Sequence, residues 1–397
     1  MFEERADQLV RAIAGFGLSP EEITEPVTVT PTEWNLVFDR VRAERMTGLA
    51  VETVTAGWLR LSEEQAADLY TAHRDAMAWC LLIERKLVGL VESFELEGIE
   101  YAVLKGASIA HRSYPEPCLR SFCDLDLLVR TEDYEDACAL LERLGHRRHR
   151  PEPRPGFEVR FGKASVHEHP SDGIEVDLHR TLVLGPFGLW IRPEELLERA
   201  GTFTLGGRRI RRLDDTGTLL NVAMHASLGW STPRLVPLRD VVQVSSVGDV
   251  DWDVLDGWAR RWQLRAVLRH AFTAASQTIG APVPEAARDL LAAEVPRREI
   301  RALAAYTGQR RDRGGTSLAT LRAIPRLRDK VAYAAALAFP ERAFLTARTE
   351  AGSRPSYRRR LMTPLGWVRS RRDPSVTNSE KEVRTRDRER DPAVHRR

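Results

Sequence analysis

Asp124-Leu125-Asp126-Leu127-Leu128-Val129 is the stretch on which the fold turns. Residues two apart on a strand point to the same face, so Asp124 and Asp126 project side by side while Leu125, Leu127 and Val129 face the other way. Burying both carboxylates without a partner would cost desolvation and like-charge repulsion, so a strand that is apolar on one side and doubly acidic on the other wants cations. Hard oxygen ligands of this kind suit Mg²⁺, which also bridges carboxylates to phosphates. Two Asp on one strand are a signature of moderate specificity. Solvated edge residues and salt-bridge partners give the same pattern, so the surroundings have to decide.

Upstream, residues 101–104 read as a short buried strand that ends in Leu104-Lys105-Gly106-Ala107. At such a strand-to-helix junction a Gly lets backbone N–H groups and a helix N-terminus approach a phosphate. Downstream, Thr131 is expected to cap a helix with the apolar face Tyr134, Ala137, Cys138, Leu141 and Leu144, stopped by Gly145. A loop rich in Pro and Arg (146–155) then leads to strands expected near 157–161, 165–168 and 174–179. In the last of these Glu175, Asp177 and His179 share one face, so a third carboxylate could join the first two from a neighbouring strand. Alternation alone leaves Glu175 and Asp177 equally placed. Lys105 and Arg120 flank the motifs and are candidate phosphate contacts. His179 could orient an acceptor or a bound water, or be a strand histidine bonded to backbone.

These residues carry a resemblance. LKGASIAHRSYPEPCLRSFCDLDLLVR (104–130), followed by VDLHR (176–180), resembles an uncharacterised bacterial nucleotidyltransferase family of the polymerase β-like superfamily. The likeness covers best residues 85–185, and the helical stretch to roughly residue 280 matches in style only. It implies an α+β fold, a small mixed sheet flanked by N-terminal and C-terminal helical regions. It further implies that Asp124 and Asp126 bind two Mg²⁺ ions and that Asp177 is the third carboxylate, with Glu175 as fallback. Gly106 and Ala107 would hold the nucleotide phosphates, although Ala107 stands where the superfamily normally has Gly or Ser. The implied reaction moves a nucleoside monophosphate from an NTP to an acceptor hydroxyl and releases pyrophosphate. The acceptor is left open among protein, peptide, small metabolite and RNA end. The competing reading is a scaffold of the same fold that binds nucleotide without turnover, and Ala107 is its main support.

The rest of the chain frames this unit. Its 397 residues, 43% hydrophobic and 29% charged, are those of a globular protein with two or three structural units. Helical periodicity dominates residues 1–84 and 214–352, bracketing a core at 85–213. The tail, 353–397, holds 14 Lys and Arg against 6 Asp and Glu, a net +8, and reads as disordered. The remaining 46 basic and 51 acidic residues leave positions 1–352 near −5, which argues against a long nucleic-acid groove. Six arginines interleaved with Leu361, Leu365, Trp367 and Val368 could dock the tail on an acidic partner or anionic surface, against the plainer reading of a solvated segment.

No apolar run approaches the ~20 residues of a membrane span. The acidic N-terminus is not a signal peptide, so a cytoplasmic protein is expected. Cys80, Cys118, Cys123 and Cys138 form no CxxC pair and read as reduced thiols. His167-Glu168-His169 lacks a third zinc ligand, Gly314-Gly315-Thr316-Ser317 lacks the Lys of a phosphate loop and reads as a turn, and Met224-His225 reads as helix core.

Overall fold

In a computed structural model, residues 2–18, 25–230, 232–307 and 313–347 are described, and the basic tail lies outside them. Two capping boxes start helices of the N-terminal region. Thr30 caps Pro31–Ala43 with Glu33 reaching back, and Ser62 caps Glu63–Leu96 with Gln65 doing the same. The second helix is 34 residues long and runs without a break across residue 84, so the expected start of the core falls inside one element. Gly98, at φ +70°, turns the chain away just beyond it, as the sequence suggested.

Among the described residues nine strands form two sheets. A parallel pair, β1 (Val27–Thr28) and β2 (Leu59–Arg60), ties the N-terminal helices together. The main sheet comprises β3 (Tyr101–Val103), β4 (Asp124–Val129), β5 (Arg147–Arg148), β6 (Ala164–Glu168), β7 (Glu175–His179), β8 (Gly201–Leu205) and β9 (Arg208–Arg212). Their order is β5-β6-β7-β4-β3-β9-β8, with β4/β7 and β3/β9 parallel and the other pairs antiparallel. This is the expected mixed α+β architecture.

Helices cover both faces. Leu125, Leu127 and Val129 pack with Val176 and Leu178 against Leu87, Val91 and Phe94 of the long helix and Ala137 and Leu141 of helix Tyr134–Arg143. On the other face Ala102, Leu104 and Leu128 join a larger cluster that unites the N-terminal helices with Asp215–Leu228, Leu235–Val247 and Arg265–Ile279. The carboxylate side of β4 therefore looks toward the C-terminal helices.

Three local expectations are corrected, and one element is new. Residues 157–161 form a short helix, not a strand, because Phe157 and Phe161 lie four apart and both pack on Tyr333, with ring centroids 5.7 and 5.2 Å away. The helix after β4 begins at Tyr134 with Asp133 at its cap position, so Thr131 does not cap it. Gly314 to Ser317 lie in helix Arg313–Ala323 rather than in a turn. The hairpin β8–β9, unforeseen in the sequence, closes through Gly206 and Gly207, both at positive φ (57° and 78°).

The C-terminal helices also fold back on the 150s segment. Arg154 Nε donates to Phe339 O at 2.8 Å, Glu341 N to Pro153 O at 2.8 Å, and Arg160 Nη2 to Asp329 Oδ1 at 2.7 Å. Among the described residues no helix is long and apolar enough to cross a membrane, and all four cysteines are free thiols.

Candidate active site

Register builds the site. The parallel pairing of β4 with β7 sets Asp124 beside Glu175, Asp126 beside Asp177 and Leu128 beside His179. Alternation then puts Asp124, Asp126, Glu175, Asp177 and His179 on one face of two adjacent strands. Ligand atoms of Asp126, Asp177 and His179 all lie within 4.8 Å of one another.

The carboxylates are not left uncompensated. Lys105, just past β3, brings Nζ to 2.6 Å from Asp126 Oδ2 and 3.7 Å from Asp124 Oδ2. Asp126 Oδ2 is buried and meets this ammonium at short range without a well-aligned hydrogen bond. His179 Nε2 lies 2.9 Å from Asp126 Oδ1, and its Nδ1 lies 3.2 Å from Thr181 O. An ionised Asp126 can only accept, so Nε2 carries the proton and the imidazole is fixed as a donor to Asp126.

Neighbouring carboxyls are pushed apart in acidity. Burial alone would raise Asp126, but Lys105 and the His179 hydrogen bond outweigh it and hold the group well below the usual carboxylate range. Asp177 goes the other way, pushed up to about 7 by burial first and then by the charges of Asp126 and Asp124. A deeply ionised carboxylate beside one that titrates near neutrality is an arrangement suited to cation binding and proton transfer.

The phosphate-side candidates divide. Gly106 holds φ +64° and ψ −117°, with a would-be Cβ 3.4 Å from the Phe122 ring, so the backbone there requires glycine. Ala107 opens helix Ala107–Ser113 with its side chain buried in the core. Asn221 of helix Asp215–Leu228 braces the same turn by donating to Leu104 O at 3.1 Å. Arg120, the other candidate phosphate contact, is engaged by a carboxylate of another helix. It is buried and forks onto Asp240, with Nε to Oδ1 and Nη2 to Oδ2 both at 2.9 Å, while Tyr114 donates to the same carboxylate at 2.8 Å. The pair ties the loop before β4 to helix Leu235–Val247.

Glu175 has a histidine neighbour of its own. His149 Nδ1 approaches it at 3.6 Å, while His149 Nε2 bonds Glu168. Two residues escaped the sequence reading. Lys163 places its charge on Asp126, Asp177 and His179, although no motif marks it in the segment after the Arg-rich loop. His225, read as core, is half-buried and held neutral by desolvation and by Lys105 and Lys163. Its spacing of four from Asn221, which puts the two on one helix face, was the available signal.

Do these residues fit a divalent cation? Oxygen donors, the buried Asp126 Oδ2 lacking an aligned hydrogen bond, and the adjacent Asp177 form a donor set appropriate to one.

The mixed sheet thus carries four carboxylates, Asp124, Asp126, Glu175 and Asp177, on one face of two adjacent parallel strands, with a glycine turn beside them. The profile of a family described as "Uncharacterised nucleotidyltransferase" matches residues 30–280, and the chain belongs to that family. Among solved structures, it is similar to a solution structure of the antibiotic-resistance factor ANT(2'')-Ia, at 16% identity and TM-score 0.30 over 48% of this chain and 94% of that one. It is also similar to a crystal structure of an antigenic nucleotidyltransferase-like protein from Paracoccidioides brasiliensis, at 14% identity and TM-score 0.29 over 47% and 91%. Comparison with curated proteins gave no significant match.

Proposed function

We propose that the protein transfers a nucleoside monophosphate from an NTP to an acceptor hydroxyl, with pyrophosphate leaving. The observation that carries this reading is the lateral pairing of Asp126 with Asp177, with Asp124 on the same face. Asp124, Asp126 and Asp177 would hold two Mg²⁺ ions, which when bound supply charge neutralisation at the attacking and leaving oxygens.

The chain's own groups do the rest. Asp177, whose acidity lies near neutral pH, accepts the acceptor's proton. His179 keeps Asp126 ionised and oriented by donating to Oδ1. Backbone N–H groups at Gly106 and Ala107 face the phosphates from the turn after β3, and Lys105 adds positive charge from the same turn. Glu175 is the less favoured third carboxylate, since it is engaged by His149. Arg120 is left out of the phosphate contacts because Asp240 holds its guanidinium.

The test is pyrophosphate release from each NTP with Mg²⁺ and a panel of hydroxyl acceptors. Release that depends on both Mg²⁺ and acceptor is expected. Nucleotide binding without release would favour the scaffold reading, for which the specific support is Ala107, a core-packed methyl where a hydroxyl would otherwise contact phosphate. Release of a nucleoside diphosphate would indicate phosphoryl transfer instead.

A further inference from the structure

The site holds a second ammonium that neither the sequence motifs nor the reaction outlined above uses. Lys163 lies between the short helix Phe157–Phe161 and β6. Its carbonyl accepts hydrogen bonds from Arg180 N at 2.9 Å and Thr181 N at 3.3 Å. The carbonyl of the preceding Gly162 takes the Arg180 guanidinium at 2.8 and 3.2 Å. Arg180 is buried and directly follows His179, so the turn carrying Lys163 is fastened to the strand carrying Asp177. That turn is tight, since a Cβ on Gly162 would meet Glu158 Cα at 2.7 Å.

Sheet order gives the direction of approach. β7 and β4 are flanked by β6 on one side and β3 on the other. Lys105 enters from the β3 side, and Leu104 beside it donates to Asp126 O. Lys163 enters from the β6 side, next to the Ala164–His179 register pair. The two lysines thus come from opposite sides of the β7–β4 pair. Lys105 rests on Asp126, and Arg120 is locked on Asp240. Lys163 is half-buried, acts on Asp126, Asp177, His179 and His225, and closes an ion pair with none of the described carboxylates. A cation anchored beside a carboxylate row without closing on it is set for an anion that arrives with the substrate.

We propose that Lys163 is the side-chain contact for the triphosphate of the incoming nucleotide, reaching it from the side of the carboxylate pair opposite Lys105. This rests on the nucleotidyl-transfer reading and assigns its polyphosphate subsite. The probe is inorganic tripolyphosphate, titrated calorimetrically with Mg²⁺ into the full chain and into Lys163→Met and Lys163→Arg. Removing one charge-assisted hydrogen bond predicts an affinity about tenfold or more weaker for Lys163→Met, with Lys163→Arg within about threefold of the parent. A second measurement needs no variant: reductive methylation of Lys163 in the unaltered protein should be suppressed by tripolyphosphate. Equal affinity for parent and Lys163→Met, or equal labelling with and without tripolyphosphate, overturns the assignment and leaves nucleotidyl transfer standing. If the unaltered protein binds neither tripolyphosphate nor any NTP, both readings fall.

Discussion

Lys105 Nζ sits 2.6 Å from Asp126 Oδ2, so the most buried carboxylate of the site is held by an ammonium from the glycine turn. The two strand carboxylates are therefore unequal: Asp126 is 2% exposed and compensated, whereas Asp124 is partly open, with the same ammonium at 3.7 Å. Asp124→Asn and Asp126→Asn should both abolish pyrophosphate release. Asp126→Asn should also destabilise the metal-free fold by about 1–3 kcal/mol by leaving a buried ammonium poorly matched, while Asp124→Asn should shift stability by less than about 1 kcal/mol. Denaturant unfolding measures the difference. Wild-type release from either variant would remove that residue from the chemistry.

Asp177 and Glu175 occupy one strand face, but Asp177 pairs with Asp126 and Glu175 with Asp124 near His149. Asp177→Asn should lower transfer by roughly 10²–10⁴-fold with NTP affinity little changed, the range expected for a missing general base. Glu175→Gln should be milder. Turnover and affinity on both variants at saturating Mg²⁺ decide it, and a dead Glu175→Gln beside an active Asp177→Asn would move the base to Glu175.

The raised acidity constant of Asp177 has a pH consequence for the metal-free protein. Its folded value of about 7 exceeds the ordinary 3.8, so folding favours the protonated carboxyl. That contribution is complete below the ordinary value and is lost as pH rises toward about 7. Thermal midpoints in EDTA should fall across that window, and Asp177→Asn should flatten the fall. An identical pH profile in the variant would show that the carboxyl titrates normally.

Arg120 and Asp240 form a buried pair, which stands or falls as a unit. Asp240→Ala alone should cost about 3–5 kcal/mol by orphaning the guanidinium, whereas Arg120→Met combined with Asp240→Leu should recover most of that loss. The double variant should keep NTP affinity within about threefold, because a missing phosphate hydrogen bond costs more than that. Loss of NTP binding in a well-folded double variant would return Arg120 to the phosphates.

How much of this was legible beforehand follows from the range of each signal. Period-two alternation in 124–129 and 174–179 carried the carboxylate face, because strand geometry alone decides it. The helix Phe157–Phe161 escaped because Phe-Glu-Val-Arg-Phe satisfies period two and a spacing of four equally, and only Tyr333, far along the chain, selects the helix. The hairpin β8–β9 had its Gly206-Gly207 turn in plain view, yet four arginines around Ile210 masked the strand pattern. The pairing of Arg120 with Asp240 and the placement of Lys163 beside the site were not legible for one reason: Asp240 and Arg180 fix them through tertiary contacts that no local spacing announces.

The clasp of the C-terminal helices on the 150s segment bears on how the molecule can be cut. Tyr333, Asp329 and Glu341 all lie beyond residue 280, where the family match stops. A fragment trimmed to that boundary would retain every carboxylate yet strip the aromatic seat from Phe157 and Phe161, in the short helix that leads directly into Lys163. Such a fragment would keep the charges of the proposed site and lose the rigidity of one wall, so weak or missing activity in it would reflect where the scissors fell and not what the intact chain can do.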